Sequence, residues 1–164
     1  MNEIEAKIEL SYEEYVSLDK KLLKIAVKKS VINEINYIYD LFLFPNSTFR
    51  LREENNNSYK FTYKGKVKSS KFKKRPEINI KLYGFLGRLL KELPYDLVYY
   101  KLRKDYVLDG EKISLDHVRD LGYFIEIEGS ESGIETILKK LNLENREIIK
   151  KGYPYLLKRK LKWK

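Results

Sequence analysis

Charged side chains in this sequence recur two or four residues apart, and the groups are sorted by sign. Carboxylates repeat at Glu3/Glu5 and Glu126/Glu128, with Glu77 and Asp116 alone on other segments. Bases repeat at Arg50/Arg52, Lys60/Lys64 and Lys101/Arg103, and Lys7 continues the spacing of Glu3 and Glu5. Residues two apart on a strand point the same way, so each group reads as one charged strand face. Neighbouring carboxylates with no base between them repel each other unless a cation or a guanidinium lies between. Hard divalent ions such as Mg²⁺ and Mn²⁺ take carboxylate oxygens, and substrate phosphates often complete their shell. A carboxylate cluster facing a base cluster is therefore what a metal–polyphosphate complex requires. Any one pair has a plainer reading as a solvated face with cross-strand ion pairs, each contributing only about 0–1 kcal/mol. The sorted set carries the inference.

Other chemistries fall away. The 164 residues contain no Cys and one histidine, His117, so thiolate nucleophiles, thiolate metal sites and histidine-rich metal clusters are excluded. His117 neighbours Asp116 and points to the opposite strand face, where a surface or packed role is expected. With 34 Lys and Arg against 24 Asp and Glu the formal charge is +10, which favours polyanionic partners. The longest apolar stretches, such as Leu41 to Phe44, are far shorter than the roughly 20 residues of a bilayer-spanning helix. The acidic start, Met-Asn-Glu-Ile-Glu, is unlike a secretory signal, so a cytoplasmic protein without membrane contact is expected. On that expectation the Asn46-Ser47-Thr48 sequon is a chance match.

Period-2 alternation dominates the segments that must position these groups. From Glu3 to Leu10, Ile4, Ala6, Ile8 and Leu10 form an apolar face opposite a charged one. Ser11-Tyr12-Glu13-Glu14 has capping-box spacing, and Tyr15, Leu18, Leu22 and Ile25 recur helically after it. Further strands are predicted at 31–43, 48–54, 59–66, 77–82, 98–108, 111–118 and 123–128, with a turn at 55–58. Helices are predicted at 83–93, ended by Pro94, at 133–141, and as a short basic helix at 155–164. No linker or internal repeat divides the chain, so residues 1–164 read as one α+β, mainly β, domain. Eight short strands suit an antiparallel sheet closed on itself, because closure removes exposed edges. An open sheet with solvated faces satisfies the same periodicity.

The order of the motifs resembles the CYTH domain, or triphosphate tunnel metalloenzyme, family. Glu3-Ile4-Glu5-Ala6-Lys7 matches its E-x-E-x-K signature. There follow Tyr39-Asp40, Phe49-Arg50-Leu51-Arg52, Thr62-Tyr63-Lys64-Gly65, Arg75-Pro76-Glu77 and Lys101-Leu102-Arg103 with Tyr106. Leu115-Asp116-His117-Val118, Leu121-Gly122 with Phe124-Ile125-Glu126-Ile127-Glu128, and Gly152-Tyr153 complete the series.

The resemblance implies an eight-stranded antiparallel closed barrel, a tunnel with charged side chains inside and helices packed outside. It also implies that Glu3, Glu5, Glu77, Asp116, Glu126 and Glu128 hold one or two Mg²⁺ or Mn²⁺ ions. Lys7, Arg50, Arg52, Lys60, Lys64, Lys101 and Arg103 would bind the triphosphate. Glu5 would serve catalysis through the metal, and Lys64 with Tyr39 would assist the leaving group, although a strand tyrosine also serves simple packing. The sequence departs from the family pattern at Asn36, where Asp is common, at Ile38, where an aromatic is common, at Asn79, where a second carboxylate is expected, and at Gly152, where Ser is usual.

A metal-dependent triphosphatase acting on inorganic tripolyphosphate or a small triphosphate ester is the first functional expectation. A class IV adenylate cyclase is the second, and a homodimer is compatible with either. A nucleic-acid-binding barrel fits less well. Tyr59, Phe61 and Tyr63 alternate onto the face opposite Lys60 and Lys64, so that strand offers no stacking platform beside its bases. The basic stretches 66–75 and 153–164 read either as steering charges near a tunnel mouth or as a solvated loop and tail.

Overall fold

The computed structural model describes residues 2–39, 47–55, 58–68 and 71–161. Outside them lie Asp40 and the expected strand stretch 40–43, Asn46 of the sequon, two positions of the 55–58 turn, residues 69–70 of the first basic stretch, and residues 162–164. The described elements are β1 (Asn2–Leu10), α1 (Tyr12–Ile25), β2 (Val27–Tyr39), β3 (Thr48–Glu54), β4 (Ser58–Lys64), β5 (Lys73–Leu82), α2 (Gly84–Lys91), β6 (Leu97–Leu108), β7 (Glu111–Val118), β8 (Gly122–Glu128), α3 (Glu131–Leu141) and α4 (Tyr153–Leu161). All strands pair antiparallel, in the closed order β1-β5-β4-β3-β2-β6-β7-β8. The barrel predicted from motif order is the barrel observed.

Its walls follow from alternation. The apolar positions of β1, β6, β7 and β8, including Ile8, Tyr106, Ile113, Leu115, Ile125 and Ile127, face outward. Leu18 and Leu22 of α1 and Ile134, Ile137 and Leu138 of α3 cover them, each fully buried aliphatic side chain contributing about 1.5–3 kcal/mol. Tyr37, Tyr39, Leu51 and Tyr59 form a second outer cluster beneath α2, which packs Leu90 against it. The capping box starts α1: Ser11 Oγ accepts from the Glu14 amide at 3.2 Å, and the Ser11 amide donates to Glu14 Oε2 at 2.8 Å.

The fourth helix departs from the expected arrangement. Tyr153 and Leu157 of α4 pack with Ile38, Tyr99, Val118 and Phe124. Those four residues have the same strand parity as the charged positions and so face inward. Here α4 covers one end of the barrel instead of packing on its outer wall.

Two strands begin four residues earlier than predicted. β2 starts at Val27, because α1 ends at Ile25 and Ala26 is already extended. β5 starts at Lys73, where Lys73-Lys74-Arg75 lacks the apolar alternation that would announce a strand; pairing with β1 places it, with Lys73 opposite Glu5 and Arg75 opposite Glu3. Three of the six bases of the first basic stretch are therefore barrel wall.

Candidate active site in the barrel lumen

Strand register brings the sorted charges to one interior. Lys7 lies opposite Glu126 and Glu5 opposite Glu128 across β1 and β8. Arg103 lies opposite Asp116 across β6 and β7, and Lys64 opposite Glu77 across β4 and β5. The interior holds a cavity of about 630 Å³ lined by Glu3, Glu5, Lys7, Arg50, Arg52, Lys60, Lys64, Glu77, Lys101, Arg103, Glu126 and Glu128. Of the anticipated site residues these twelve share one space, and Tyr39 also borders it.

The acidic side of the cavity is threaded with amines. Lys7 Nζ lies 3.0 Å from Glu126 and 3.8 Å from Glu5. Lys64 Nζ bridges Glu77 at 2.5 Å and Glu3 at 3.3 Å. Glu3 also accepts from Arg75 Nε at 3.2 Å, and Glu5 accepts from Lys73. Glu128, the most exposed of the five lumen glutamates, lies 3.4 Å from Lys112 and 3.9 Å from Arg103. Lys60 pairs with Glu54 at 3.4 Å.

Asp116 is placed among bases. Its oxygens accept from Arg103 at 2.8 and 2.6 Å, from Lys101 at 3.4 Å and from the Tyr153 hydroxyl at 2.8 Å. Tyr39 is not brought to Lys64. It has outward parity, opposite Phe49, and its hydroxyl donates to the Leu90 carbonyl at 2.7 Å. His117 is exposed and stacks on Tyr123 with ring centres 4.6 Å apart.

Sequence reasoning missed several lumen residues. Lys73 and Arg75 were hidden in a basic run. Tyr99 and Tyr153 line the cavity from β6 and the start of α4. Glu34 of β2 is wholly buried, with Lys101 at 3.1 Å, Arg52 at 3.3 Å and Arg103 at 4.0 Å. Its spacing from Asn36 was the available signal.

The electrostatics follow from this packing. Burial raises the carboxyl pKa of Glu34, but Lys101, Arg52 and Arg103 outweigh it and hold the group well below the usual range. Burial is likewise overcome at Glu126 by Lys7 and Arg103, and at Glu5 by Lys7 and Lys73, so both shift down. Glu77 is lowered against burial by its contacts with Glu3 and Lys64. Glu128 moves up, because burial and the charges of Glu126 and Glu3 prevail over Lys112 and Arg103. Burial pushes Lys73 down to about 8, and burial together with Arg50 lowers Lys64.

A pH dependence of stability follows. The unfolded chain protonates its carboxyls near the ordinary value of 4.5, before Glu5, Glu34, Glu77 and Glu126 protonate in the fold. Their stabilisation is therefore complete above that value and lost as pH falls through it toward the lower folded values. Glu128 works in the opposite sense. Thermal melts should show a midpoint nearly level from about pH 7 to 5 and falling steadily below about 4.5; a midpoint unchanged at pH 3 would contradict the pairing.

Among the described residues no three acidic side chains converge as a ready-made cage for an ion. The chemistry of the donor set nevertheless fits a hard divalent cation. Glu3, Glu5, Glu77, Glu126 and Glu128 offer only carboxylate oxygens, and they lie close enough that Glu126 and Glu3 raise the carboxyls of both Glu5 and Glu128.

No described helix is long and apolar enough to cross a membrane. The CYTH domain family matches residues 1–153. A Methanocaldococcus jannaschii protein named "putative adenylate cyclase" is 29% identical over 170 aligned residues, covering 93% of this chain and 97% of that one. The solved PH1819 protein of Pyrococcus horikoshii OT3 superposes with a TM-score of 0.75 at 26% identity, over 96% of this chain and 99% of that one. A Hippeastrum protein, described as a putative adenylyl cyclase with a dominant triphosphatase activity, superposes with the same score at 16% identity over 96% and 95% of the two chains. That likeness is one of fold. The motif series, the closed barrel with its charged interior and the match over residues 1–153 together make this chain a member of the CYTH domain family.

Proposed function

We propose that the protein is a metal-dependent triphosphatase that hydrolyses inorganic tripolyphosphate or a small triphosphate ester in the barrel lumen. One observation carries the reading. Arg50 lines the cavity, is buried, and its Nε has no hydrogen-bond partner. Among the described lumen bases that are buried, it alone has no carboxylate within 4.0 Å, while Lys7, Arg52, Lys64, Lys73, Lys101 and Arg103 each have one. A buried guanidinium without a counter-anion marks a position for an anionic ligand, since a charge stays buried only when paired.

The side chains then divide the work. Arg50 and Arg52 present guanidinium forks to phosphoryl oxygens, and Lys101 and Arg103 extend the basic wall beside them. These contacts align the phosphate chain and neutralise charge on its equatorial oxygens, which is most of what phosphoryl transfer asks of a protein. Glu3, Glu5, Glu126 and Glu128, with Glu77, would hold Mg²⁺ or Mn²⁺, whose chemistry is charge neutralisation and activation of the attacking water. Lys64 Nζ, with its pKa lowered and its two carboxylate partners at hand, can hold or release a proton at the leaving oxygen. Tyr39 takes no part, because its hydroxyl bonds to α2.

The test offers tripolyphosphate, ATP and thiamine triphosphate with Mg²⁺ or Mn²⁺ and identifies the products. Orthophosphate from tripolyphosphate is expected. Cyclic AMP from ATP with no phosphate from tripolyphosphate would replace this reading with the cyclase, which the name of the Methanocaldococcus relative favours. Arg50→Met should weaken tripolyphosphate binding by about 10- to 100-fold, corresponding to the roughly 1.5–3 kcal/mol of a hydrogen bond to a charged group. Calorimetric titration reads this directly, and unchanged affinity would remove Arg50 from the site.

A further inference from the structure

Glu34 is the acid the sequence reading did not use. Its side chain has no exposure, and Oε1 makes no hydrogen bond. Three cavity-lining cations, Arg52, Lys101 and Arg103, converge on it. That is the surrounding a phosphoryl group would have on the same wall. Asn36, where the family commonly has Asp, donates to Glu34 Oε2 at 3.2 Å and accepts from Arg52 at 3.4 Å. The carboxylate of this strand face therefore stands one pleat further along than the family pattern places it.

The inner face of β2 consequently changes character along its length. Ile38 lies opposite Arg50, neutral Asn36 opposite Arg52, and Glu34 opposite both Lys101 and Glu54. Along this face Ile38, Arg50 and Arg52 line the cavity while Asn36 and Glu34 do not, so a phosphate chain seated at Arg50 and running past Arg52 reaches the end of the cavity, behind which lies a neutral amide and then a fixed carboxylate about 13 Å along the strand from Ile38. Arg52 already pairs with Glu34 and Glu54 at 3.3 Å each, and a further phosphoryl group beyond it would lie against those two carboxylates.

We propose that Glu34 is an internal stop for the phosphate chain, a specificity-determining residue that lets three phosphoryl groups occupy the basic wall and rejects a fourth. This rests on the triphosphate reading above. Replacing Glu34 by its neutral isostere removes the fixed negative charge that a fourth phosphoryl group would lie against. It should favour longer chains more than short ones.

The experiment titrates the full-length protein with pyrophosphate, tripolyphosphate and tetrapolyphosphate, first in EDTA and then with Mn²⁺ while following phosphate release. Wild type should bind tripolyphosphate more tightly than pyrophosphate and gain nothing from the fourth phosphate. Glu34→Gln should bind tetrapolyphosphate about tenfold more tightly than wild type does, with a change of no more than about threefold for tripolyphosphate. An equal gain for all three ligands, or an unchanged ratio of tri- to tetrapolyphosphate affinity, overturns the stop while leaving the triphosphate reading in place. If wild type neither binds nor hydrolyses tripolyphosphate, the functional reading falls and the stop with it. Circular dichroism and the thermal midpoint establish that the variant is folded. The double variant Glu34→Gln/Asn36→Asp serves as a second probe that keeps the net charge and moves the carboxylate toward Arg50. It should weaken tripolyphosphate binding, and a wild-type ligand profile from it would equally overturn the proposal.

Discussion

Glu126→Gln combined with Glu128→Gln is expected to abolish tripolyphosphate hydrolysis and Mn²⁺ binding while the barrel remains folded. Under the proposed function these two carboxylates supply neighbouring oxygens for the ion. Loss of the several kcal/mol that a bound ion contributes to transition-state stabilisation corresponds to a fall in turnover of about 10³-fold or more. The fold should survive because the charge each base loses is replaced by another partner. Lys7 retains Glu5 at 3.8 Å, Arg103 retains Asp116 at 2.6 Å, and the glutamine oxygens can still accept from both. Calorimetry with Mn²⁺ separates loss of the ion from loss of the protein. A double variant with wild-type turnover and an unchanged Mn²⁺ titration would remove Glu126 and Glu128 from the site. Glu135→Gln, altering an exposed α3 carboxylate paired with Lys71, is the control expected to change neither.

Most of the barrel was legible because each of its walls alternates between an apolar and a charged residue. Glu3 to Leu10 and Tyr123 to Glu128 state both faces in the chain itself, so pairing had only to bring them together. The misses share a cause. At Lys73-Lys74-Arg75 both faces are basic, and at Asn33-Glu34 both are polar, so period two leaves no mark, and only the neighbouring strand decides which side chain turns inward. Tyr39 could have been placed outside by its parity with Tyr37. Its partner, the Leu90 carbonyl, lies 51 residues further along and is not readable from spacing. The closure of one end by α4 depends on Tyr153 and Leu157 finding inward-facing Tyr99 and Phe124, which is a tertiary event. The charge of +10 is likewise redistributed by the fold: Lys73, Arg75 and Lys112, with Lys66, Lys150, Lys151 and Lys158, join the bases that line the cavity, so its lining is strongly basic, while Glu34 and Glu54 engage Arg52 from behind it. A phosphate chain enters a lumen whose cations are mostly engaged, and selectivity arises from which of them are free.

Arg103 is the residue on which the ion pairing of the lumen depends most, and its replacement should be the most damaging to stability. Its guanidinium donates to Asp116 through Nε and Nη2 at 2.8 and 2.6 Å and to Glu126 through Nη2, and it lies within 4.0 Å of Glu34 and Glu128. Arg103→Met keeps much of the side-chain volume but leaves Asp116, Glu126 and Glu34 short of a counter-cation in a buried setting. Breaking a buried ion pair by removing one partner costs about 3–5 kcal/mol, which for a chain of this size lowers the thermal midpoint by about 10 °C. Urea denaturation at pH 7 checks the magnitude, and a loss under about 1 kcal/mol would mean the network contributes no more than surface pairs do. The pH dependence distinguishes charge from packing. Without Arg103, Glu126 loses one of the two main charges that hold its carboxyl down, so it takes up a proton at higher pH, and protonation relieves the unpaired charge. The stability deficit relative to wild type should therefore shrink as pH falls from 7 toward 4.5, whereas a deficit caused by a packing void would stay constant. Adding Asp116→Asn to Arg103→Met should recover part of the loss, because it removes one of the stranded charges, and strict additivity of the two substitutions would show that the pair does not interact.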